Sequence, residues 1–302
     1  MGDSLVSERR LYGSITSVSE RLSRQGVLGP NSDTILRSLR IGVVGVGGGG
    51  SHIAQQLAHI GVGHFVLIDP DVVEESNLNR LVGATVDDAR RRTPKVTVAR
   101  RMIRRVAPDT VVEARKATWQ RDALRLRDCD AIFGCVDSFA ARDELERMAR
   151  RYLVPYFDIG MDVHVQPDGY AITGQVAASI PGMPCLRCMT VLTPKLIANE
   201  AAQYGKAGPR PQVIWPNGVL ASTAVALLIQ LVTPWSRTAD TPVIVEYDGN
   251  RHELRWGAAN SFLTSAKCPH FDALEDLGDP WFEAKKLQPR SRSRPTGERT
   301  SE

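Results

Sequence analysis

The chain has 302 residues, 42% hydrophobic and 24% charged, which is ordinary globular composition and excludes disorder, collagen and coiled coil as its main state. Its net charge of +4 lies in residues 285–302, where Lys285, Lys286, Arg290, Arg292, Arg294 and Arg299 face only Glu298 and Glu302; the remaining chain is neutral. A neutral body with a short Ser/Arg/Pro tail reads as a solvated terminus, since a nucleic-acid footprint needs its basic surface on the fold.

No charged-then-apolar leader opens the chain and Val6 breaks a myristoylation pattern, so a cytoplasmic protein is expected. The longest apolar stretch, 219–232, is too short to span a bilayer and reads as a buried helix, so no membrane partner is expected. Five cysteines in such a chain are no disulfide framework, whereas Cys185-Leu-Arg-Cys188 has the spacing of half a metal site.

In chain order, residues 1–16 carry no periodicity, and polar helical segments follow over 17–28 and 32–40. A β-branched strand over 40–45 ends in a glycine cluster, after which SHIAQQLAHI has helical spacing. A second strand over 64–68 stops at Asp69. Thr93-Pro94 opens a helix with one apolar face at Val96, Ala99, Ile103 and Val106; the surrounding basic residues read as a solvated face. Strands over 110–114, 131–135 and 154–158, with a helix over 138–151, continue the alternation. Beyond residue 160 the pattern turns antiparallel: 163–165 and 170–177 flank Pro167-Asp168-Gly169, helices follow over 193–203 and 217–232, and 243–247 pairs with 252–256. The reading is a Rossmann-like, mainly parallel sheet with helices on both faces and an antiparallel extension. Residues 17–284 form one unit, with a nucleotide-binding half to about 160 and a partner- and metal-binding half from 161 to 284.

Gly45-x-Gly47-x-x-Gly50, between a strand and a helix, leaves room for phosphate against backbone N–H groups at a helix N-terminus. Asp69 closes the next strand, where an acid can bond a ribose hydroxyl; glycine turn and acid together fit ATP or NAD. Arg80 in Ser-Asn77-Leu-Asn79-Arg80, Lys95 in Thr-Pro-Lys, and Asp137 fall at the carboxyl ends of strands or the starts of helices. Two cations and an acid suit a triphosphate with magnesium, whereas hydride transfer gives no reason for them. Taken singly, Asn77 and Asn79 read equally as turn residues, Asp137 as a helix cap, and Lys95 as one more charge on a basic helix.

The chain resembles the ThiF/MoeB/HesA group, bacterial relatives of ubiquitin-activating enzymes, through GVGGGGSHIAQQLAHIGVGHFVLIDPDVVEESNLNRL, TPKV, CVDSFAAR, CLRC and the upstream RLSRQ, over about residues 20–270. The resemblance implies an adenylyltransferase that uses Mg-ATP to activate the C-terminal carboxylate of a small ubiquitin-like or sulfur-carrier protein. By similarity, Gly45, Gly47, Gly48 and Gly50 form the ATP loop and Asp69 holds the ribose. Asp71, Asn77 and Asn79 join the nucleotide site, Arg80 and Lys95 hold the phosphates, and Asp137 holds the magnesium. Arg24 would reach the ATP of the other subunit in a homodimer.

Two departures stand out. The family's second C-x-x-C pair reads Cys268-Pro269-His270-Phe271, leaving either zinc held by Cys185, Cys188, Cys268 and His270 or a vestigial site of reduced thiols. No cysteine lies in 189–216, where relatives that form a thioester carry one, so the chemistry is expected to stop at the adenylate unless a partner brings the nucleophile. Cys135 reads as an apolar strand residue rather than that nucleophile. The competing readings are an enzyme adenylating a carboxylate on tRNA, a NAD-dependent oxidoreductase, and a non-catalytic scaffold.

Overall fold

The structure is a computed structural model that describes residues 20–203, 211–236, 243–257, 260–263 and 268–271. The irregular N-terminus, the segment 17–19 and the basic tail lie outside these residues, as do the outer limits of the 17–284 unit.

A 3-10 segment, Glu20–Leu28, and helix α1, Ser32–Ser38, lead into β1, Arg40–Val44. There follow α2 (Gly48–His59), β2 (His64–Ile68), α3 (Val86–Arg90), α4 (Lys95–Val106), β3 (Val111–Arg115), α5 (Ala123–Leu126), β4 (Ala131–Gly134) and α6 (Phe139–Arg151). The second half holds β5 (Tyr156–Gln166), β6 (Gly169–Ser179), α7 (Pro194–Gln203), α8 (Ile214–Val232), β7 (Ile244–Asp248), β8 (Glu253–Trp256) and α9 (Asn260–Leu263).

The strands form one eight-stranded sheet, β3-β2-β1-β4-β5-β6-β7-β8, parallel from β3 to β5 and antiparallel from β5 to β8. The inner strands β1, β2 and β4 are apolar on both faces, as a sheet covered on both sides requires, whereas the edge strand β3 carries Glu113 and Arg115. Ile41, Val43, Phe65 and Leu67 pack with Ile53 and Leu57 of α2, Ile103 of α4 and Leu220 of α8. Val44, Val66 and Ile68 pack on the other side with Leu126 of α5 and with Leu145 and Met148 of α6. The order reverses direction between β2-β1 and β1-β4, and a ligand crevice opens at such a point, beyond the carboxyl ends of the strands.

Three boundaries differ from the sequence reading. The strand expected to end at Asp158 runs on to Gln166, so one strand carries both the parallel and the antiparallel pairing. Gly160 permits this, since a Cβ there would lie 2.5 Å from Gln175 Nε2 and 2.8 Å from Arg142 Nη1. The helix α2 starts at Gly48 rather than Ser51, so the glycine cluster forms its first turn. The long apolar helix starts at Ile214, and with 19 residues and a mean hydropathy of 1.5 it is long and apolar enough to cross a membrane by length and composition, contrary to expectation. Its hydropathy has another cause: Leu220, Ala221, Ala224 and Leu228 are buried against α2 and the sheet.

Candidate active site

A cleft of about 220 Å³ lies where the parallel strands end, lined by Gly45, Gly47, Gly48, Asp69, Asp71, Asn77, Arg80, Lys95 and Asp137 among others. The backbone explains why residues scattered from 45 to 137 converge. Gly45 takes φ +82°, and a Cβ there would meet the Cys135 carbonyl at 2.3 Å, so β1 and β4 close against each other only with glycine at this turn. Gly50 does not line the cleft. Its Cα faces the Gly45 carbonyl, where a Cβ would lie 1.9 Å from the oxygen, so it lets α2 sit tight on the turn.

Asp69 is 4% exposed and accepts N–H bonds from Val46 (2.6 Å) and Asp71 (2.8 Å), one on each carboxylate oxygen. Burial pushes its carboxyl pKa up, opposed by the Lys95 ammonium and these two donors. Each oxygen keeps a lone pair for a further donor such as a sugar hydroxyl. The chain beyond Asp69 is stitched to the start of α4 by Val73 N–H to Thr93 O and Lys95 N–H to Asp71 O. That stitching sets Lys95 Nζ 2.8 Å from Asp71 Oδ2, with only 13% of the lysine side chain exposed. Lys95 is therefore a fixed cation in the wall rather than another solvated charge of the basic helix.

Arg80 follows a 3-10 turn, Glu75–Asn77, in which Glu74 and Asn77 cap each other. Its Nη1 donates to Ser76 O (2.6 Å) and to Asn79 Oδ1 (2.9 Å), which fixes the guanidinium at the cleft. Asn79 does not line the cleft but braces Arg80, while its own amide donates to Gln212 O at 2.9 Å. Asp137 is exposed, and its carboxylate has no hydrogen-bond or ion-pair partner among the described residues. Ser138, not Asp137, caps α6, accepting from Ala141 N–H, so the acid is left open toward the cleft. A lone carboxylate with room for water and phosphate oxygens is the donor set magnesium takes.

Three residues of this cleft were not picked out from the sequence. Arg142 is buried, donates to Val136 O (3.0 Å) and Asp158 Oδ2 (3.4 Å), and stands 5.5 Å over the Phe139 ring. Asn217, near the start of α8, presses on the glycine turn: a Cβ on Gly48 would meet its amide at 2.8 Å. Gln212 arrives on the chain leading to α8. Arg142 had a signal, as the last residue of CVDSFAAR; Asn217 and Gln212 had none, since they reach the cleft only through the return of α8.

Arg24 is placed outside the cleft. Its neighbours fasten the 3-10 segment to the end of α2, Arg21 donating to Ala58 O and His59 O and Gln25 to Ile60 O. Arg24 is exposed, with no hydrogen-bond or ion-pair partner among the described residues.

A second constellation lies beneath α6. Cys185, Cys188, Cys268 and His270 bring their ligand atoms within 4.8 Å of one another. The Sγ atoms of Cys185 and Cys188 are 3.6 Å apart, those of Cys188 and Cys268 3.7 Å, and His270 Nδ1 is 3.4 Å from the first two and 4.0 Å from the third. Bonds of about 2.3 Å to a tetrahedral zinc would set sulfurs about 3.8 Å apart, so the donor set fits a Cys3His centre. Phe271, at the position of a fourth cysteine, lies beneath the Arg150 guanidinium at 5.5 Å.

One face of α6 serves both sites. Arg142 reaches the cleft, Asp143 takes two bonds from Arg187 at 2.9 Å, and Glu146 accepts from Leu186 N–H at 2.8 Å and from the Ser179 hydroxyl. Arg150 donates to Met183 O and Pro184 O, both at 2.8 Å. Burial raises the Glu146 pKa to about 7, although the Ser179 and Leu186 bonds oppose the shift. The unfolded chain releases this proton near the ordinary value of 4.5, so the folded state holds it between those two values. The stability this group confers therefore falls as pH rises through that window. Glu146→Gln, neutral and of the same shape, should flatten the decline: urea melts at about pH 5 and about pH 7.5 should show a smaller loss for the variant than for the parent.

None of the five cysteines is placed as an acyl carrier. Three form the cluster, and Cys129 is buried in the core with its thiol pushed up to about 12. Cys135 lines the cleft, but burial, aided by the Asp158 carboxylate, drives its pKa well above the ordinary thiol value and keeps it protonated.

A doubly wound sheet with a glycine turn and fixed cations at its switch point defines a nucleotide-binding α/β protein of Rossmann type. The chain belongs to the ThiF family, whose pattern it matches over residues 20–270. It is 32% identical over 216 residues to the SAMP-activating enzyme E1 of Haloferax volcanii, covering 70% of this chain and 76% of that one. It is 28% identical to the molybdopterin-synthase adenylyltransferase of Escherichia coli, over 73% of this chain and 83% of that one. Among solved structures, Escherichia coli MccB with ATP shares the fold at a TM-score of 0.63 and 19% identity, over 79% of this chain and 71% of that one.

Proposed function

We propose that this chain adenylates the C-terminal carboxylate of a small ubiquitin-like or sulfur-carrier protein, using ATP and magnesium. The observation that carries the reading is the convergence of Arg80, Lys95 and Asp137 on one cleft beside the glycine turn. The adenylyltransferase relatives support it.

A carboxylate oxygen attacks the α-phosphorus, the bond to the bridging oxygen breaks, and pyrophosphate leaves. Carboxylate and triphosphate are both anionic, so their approach requires fixed positive charge. Arg80, held by Ser76 and Asn79, and Lys95, held by Asp71, supply it without reorganising. The backbone N–H groups at the first turn of α2 would face the phosphates, Asp69 would take a ribose hydroxyl, and Arg142, which lines the cleft while paired with Asp158, would stand beside the incoming carboxylate. Asp137 would hold magnesium, which offsets the charge gathering on pyrophosphate. With no thiol placed to receive the acyl group, the product is the acyl-adenylate, and a nucleophile from another protein consumes it.

Cys185, Cys188, Cys268 and His270 would hold a structural zinc. The exposed Arg24 would act in a homodimer, reaching the cleft of the partner subunit. That pairing has a direct test: Arg24→Ala and Asp137→Ala variants, each inactive alone, should regain about a quarter of parental activity on mixing, because half the dimers are mixed and carry one complete cleft. No recovery in mixed dimers would place Arg24 outside the reaction.

The reaction itself is tested by ATP-pyrophosphate exchange with small β-grasp proteins ending in Gly-Gly, beside C-terminally amidated forms and a tRNA control. Exchange should require the free protein carboxylate. Exchange with tRNA alone would reassign the substrate, and nicotinamide binding without exchange would reassign the chemistry.

A further inference from the structure

Arg142 is buried, yet it lines both the nucleotide cleft and a cavity that adjoins it, so its guanidinium stands where the two meet. What holds it there lies deeper in the sheet. Asp158 of β5, fully buried, accepts from Arg142 Nη1 at 3.4 Å on one carboxylate oxygen and from the Tyr156 hydroxyl at 3.0 Å on the other. Tyr156 and Asp158 are two residues apart on one strand and share a face of the sheet. Two glycines leave room for the assembly: a Cβ on Gly134 of β4 would overlap the Tyr156 hydroxyl, and one on Gly160 would lie 2.8 Å from Arg142 Nη1.

A second anion stands beside this cation. Arg142 Nε donates to the Val136 carbonyl at 3.0 Å, and the next residue is Asp137, whose carboxylate has no partner among the described residues. Burial works against the charge on Arg142, but the Asp158 carboxylate outweighs it and Asp137 adds to the same effect, so the guanidinium pKa is raised. A guanidinium carries five N–H donors, and those of Arg142 not given to Val136 and Asp158 have no hydrogen-bond partner among the described residues. A buried cation deprived of one carboxylate gains most by pairing with another, and the other one here is Asp137.

We propose that Asp158 and Tyr156 are positioning residues that commit Arg142 to the junction of the two cavities and keep it off Asp137, so that the acid beside it stays open to magnesium. Asp158 supplies the counter-charge, and the Tyr156 hydroxyl, bonded to its other oxygen, fixes the direction in which that charge faces. The Val136 carbonyl fixes the remaining edge of the guanidinium, leaving its open donors for an anion in the cleft. The effect on turnover rests on the adenylation reading above; the effect on magnesium requires only that ATP and magnesium bind in this cleft.

The test compares the full chain with Asp158→Asn, Tyr156→Phe, Arg142→Gln and the double variant Asp158→Asn/Arg142→Gln. Calorimetric titration of a non-hydrolysable ATP analogue at a series of magnesium concentrations gives the magnesium needed for half-maximal binding. That concentration should rise about fivefold or more in Asp158→Asn, where the released guanidinium takes Asp137, and return to about the parent value in the double variant, which has no guanidinium to release. Pyrophosphate exchange with a β-grasp protein ending in Gly-Gly, at saturating magnesium, should lose about tenfold or more of its kcat in Asp158→Asn and about a hundredfold in Arg142→Gln. The double variant should match Arg142→Gln alone, because Asp158 acts through the arginine; a residue that only supported the fold would add its loss to the first. Tyr156→Phe keeps the ring and its packing, and should lower kcat about fivefold with the melting temperature unchanged, which keeps the test open if Asp158→Asn does not fold. An unchanged magnesium requirement in Asp158→Asn, losses that multiply in the double variant, or full kcat in Tyr156→Phe would overturn the proposal. The expected magnesium effects in a chain that gives no exchange would leave the brace standing and sink the adenylation reading alone.

Discussion

Asp137→Ala and Arg80→Ala should each lower ATP-pyrophosphate exchange by about a thousandfold or more, with the fold and melting temperature unchanged. The Asp137 carboxylate makes no hydrogen bond or ion pair among the described residues that its loss would break, and Ser138 keeps the cap on α6, so the structural effect is small. Arg80 is bonded to Ser76 O and to Asn79, both exposed residues, and its removal frees no buried partner. The chemical effect is large because both groups face charge that accumulates as the α-phosphorus bond breaks. Lysine at position 80 should restore little, since a point charge cannot hold the same two carbonyl oxygens and also reach phosphate. Thermal melts and circular dichroism separate loss of reaction from loss of fold; retained exchange in either variant would remove that residue from its role.

The second large effect is expected at the cysteine-histidine cluster. Cys188→Ser, or a strong chelator applied to the parent chain, should lower the melting temperature by about 10 °C or more, since structural zinc contributes several kcal/mol and each kcal/mol moves a chain of this size by about 2–4 °C. Metal analysis of the parent should return one zinc per chain. The consequence should reach the cleft as well, because α6 carries Arg142 at one end and Asp143, Glu146 and Arg150 against the cluster. A chain that melts identically with and without chelator, and contains no metal, would make the cluster a set of reduced thiols.

The nucleotide half was legible because its signals are local. The strand-glycine-helix pattern, Asp69 at a strand end, and Thr93-Pro94 before Lys95 each name a backbone position whose chemistry follows from neighbours in sequence. What escaped depends on long-range packing. The polar face of α6 repeats at residues 142, 146 and 150, a helical spacing visible in the sequence, yet its meaning came only from the cluster and Ser179 lying beneath it. Asn217 and Gln212 enter the cleft from a chain return more than 130 residues from Asn79, which Gln212 contacts. The extension of β5 through Gly160 could not be read, because glycine ordinarily weakens a strand and is tolerated here only where Arg142 and Gln175 crowd the same spot. His270 stood as one of two readings, and only the folding of residues 268–271 against Cys185 and Cys188 brought its ring to the sulfurs.

Crystallisation of the chain with ATP and magnesium is the most direct trial of the charge-gathering cleft. The triphosphate should lie along the first turn of α2, its oxygens within hydrogen-bond reach of Arg80 and Lys95, with a magnesium ion on Asp137. A nucleotide bound elsewhere, or phosphates beyond contact with all three residues, would contradict the adenylation chemistry assigned to this protein.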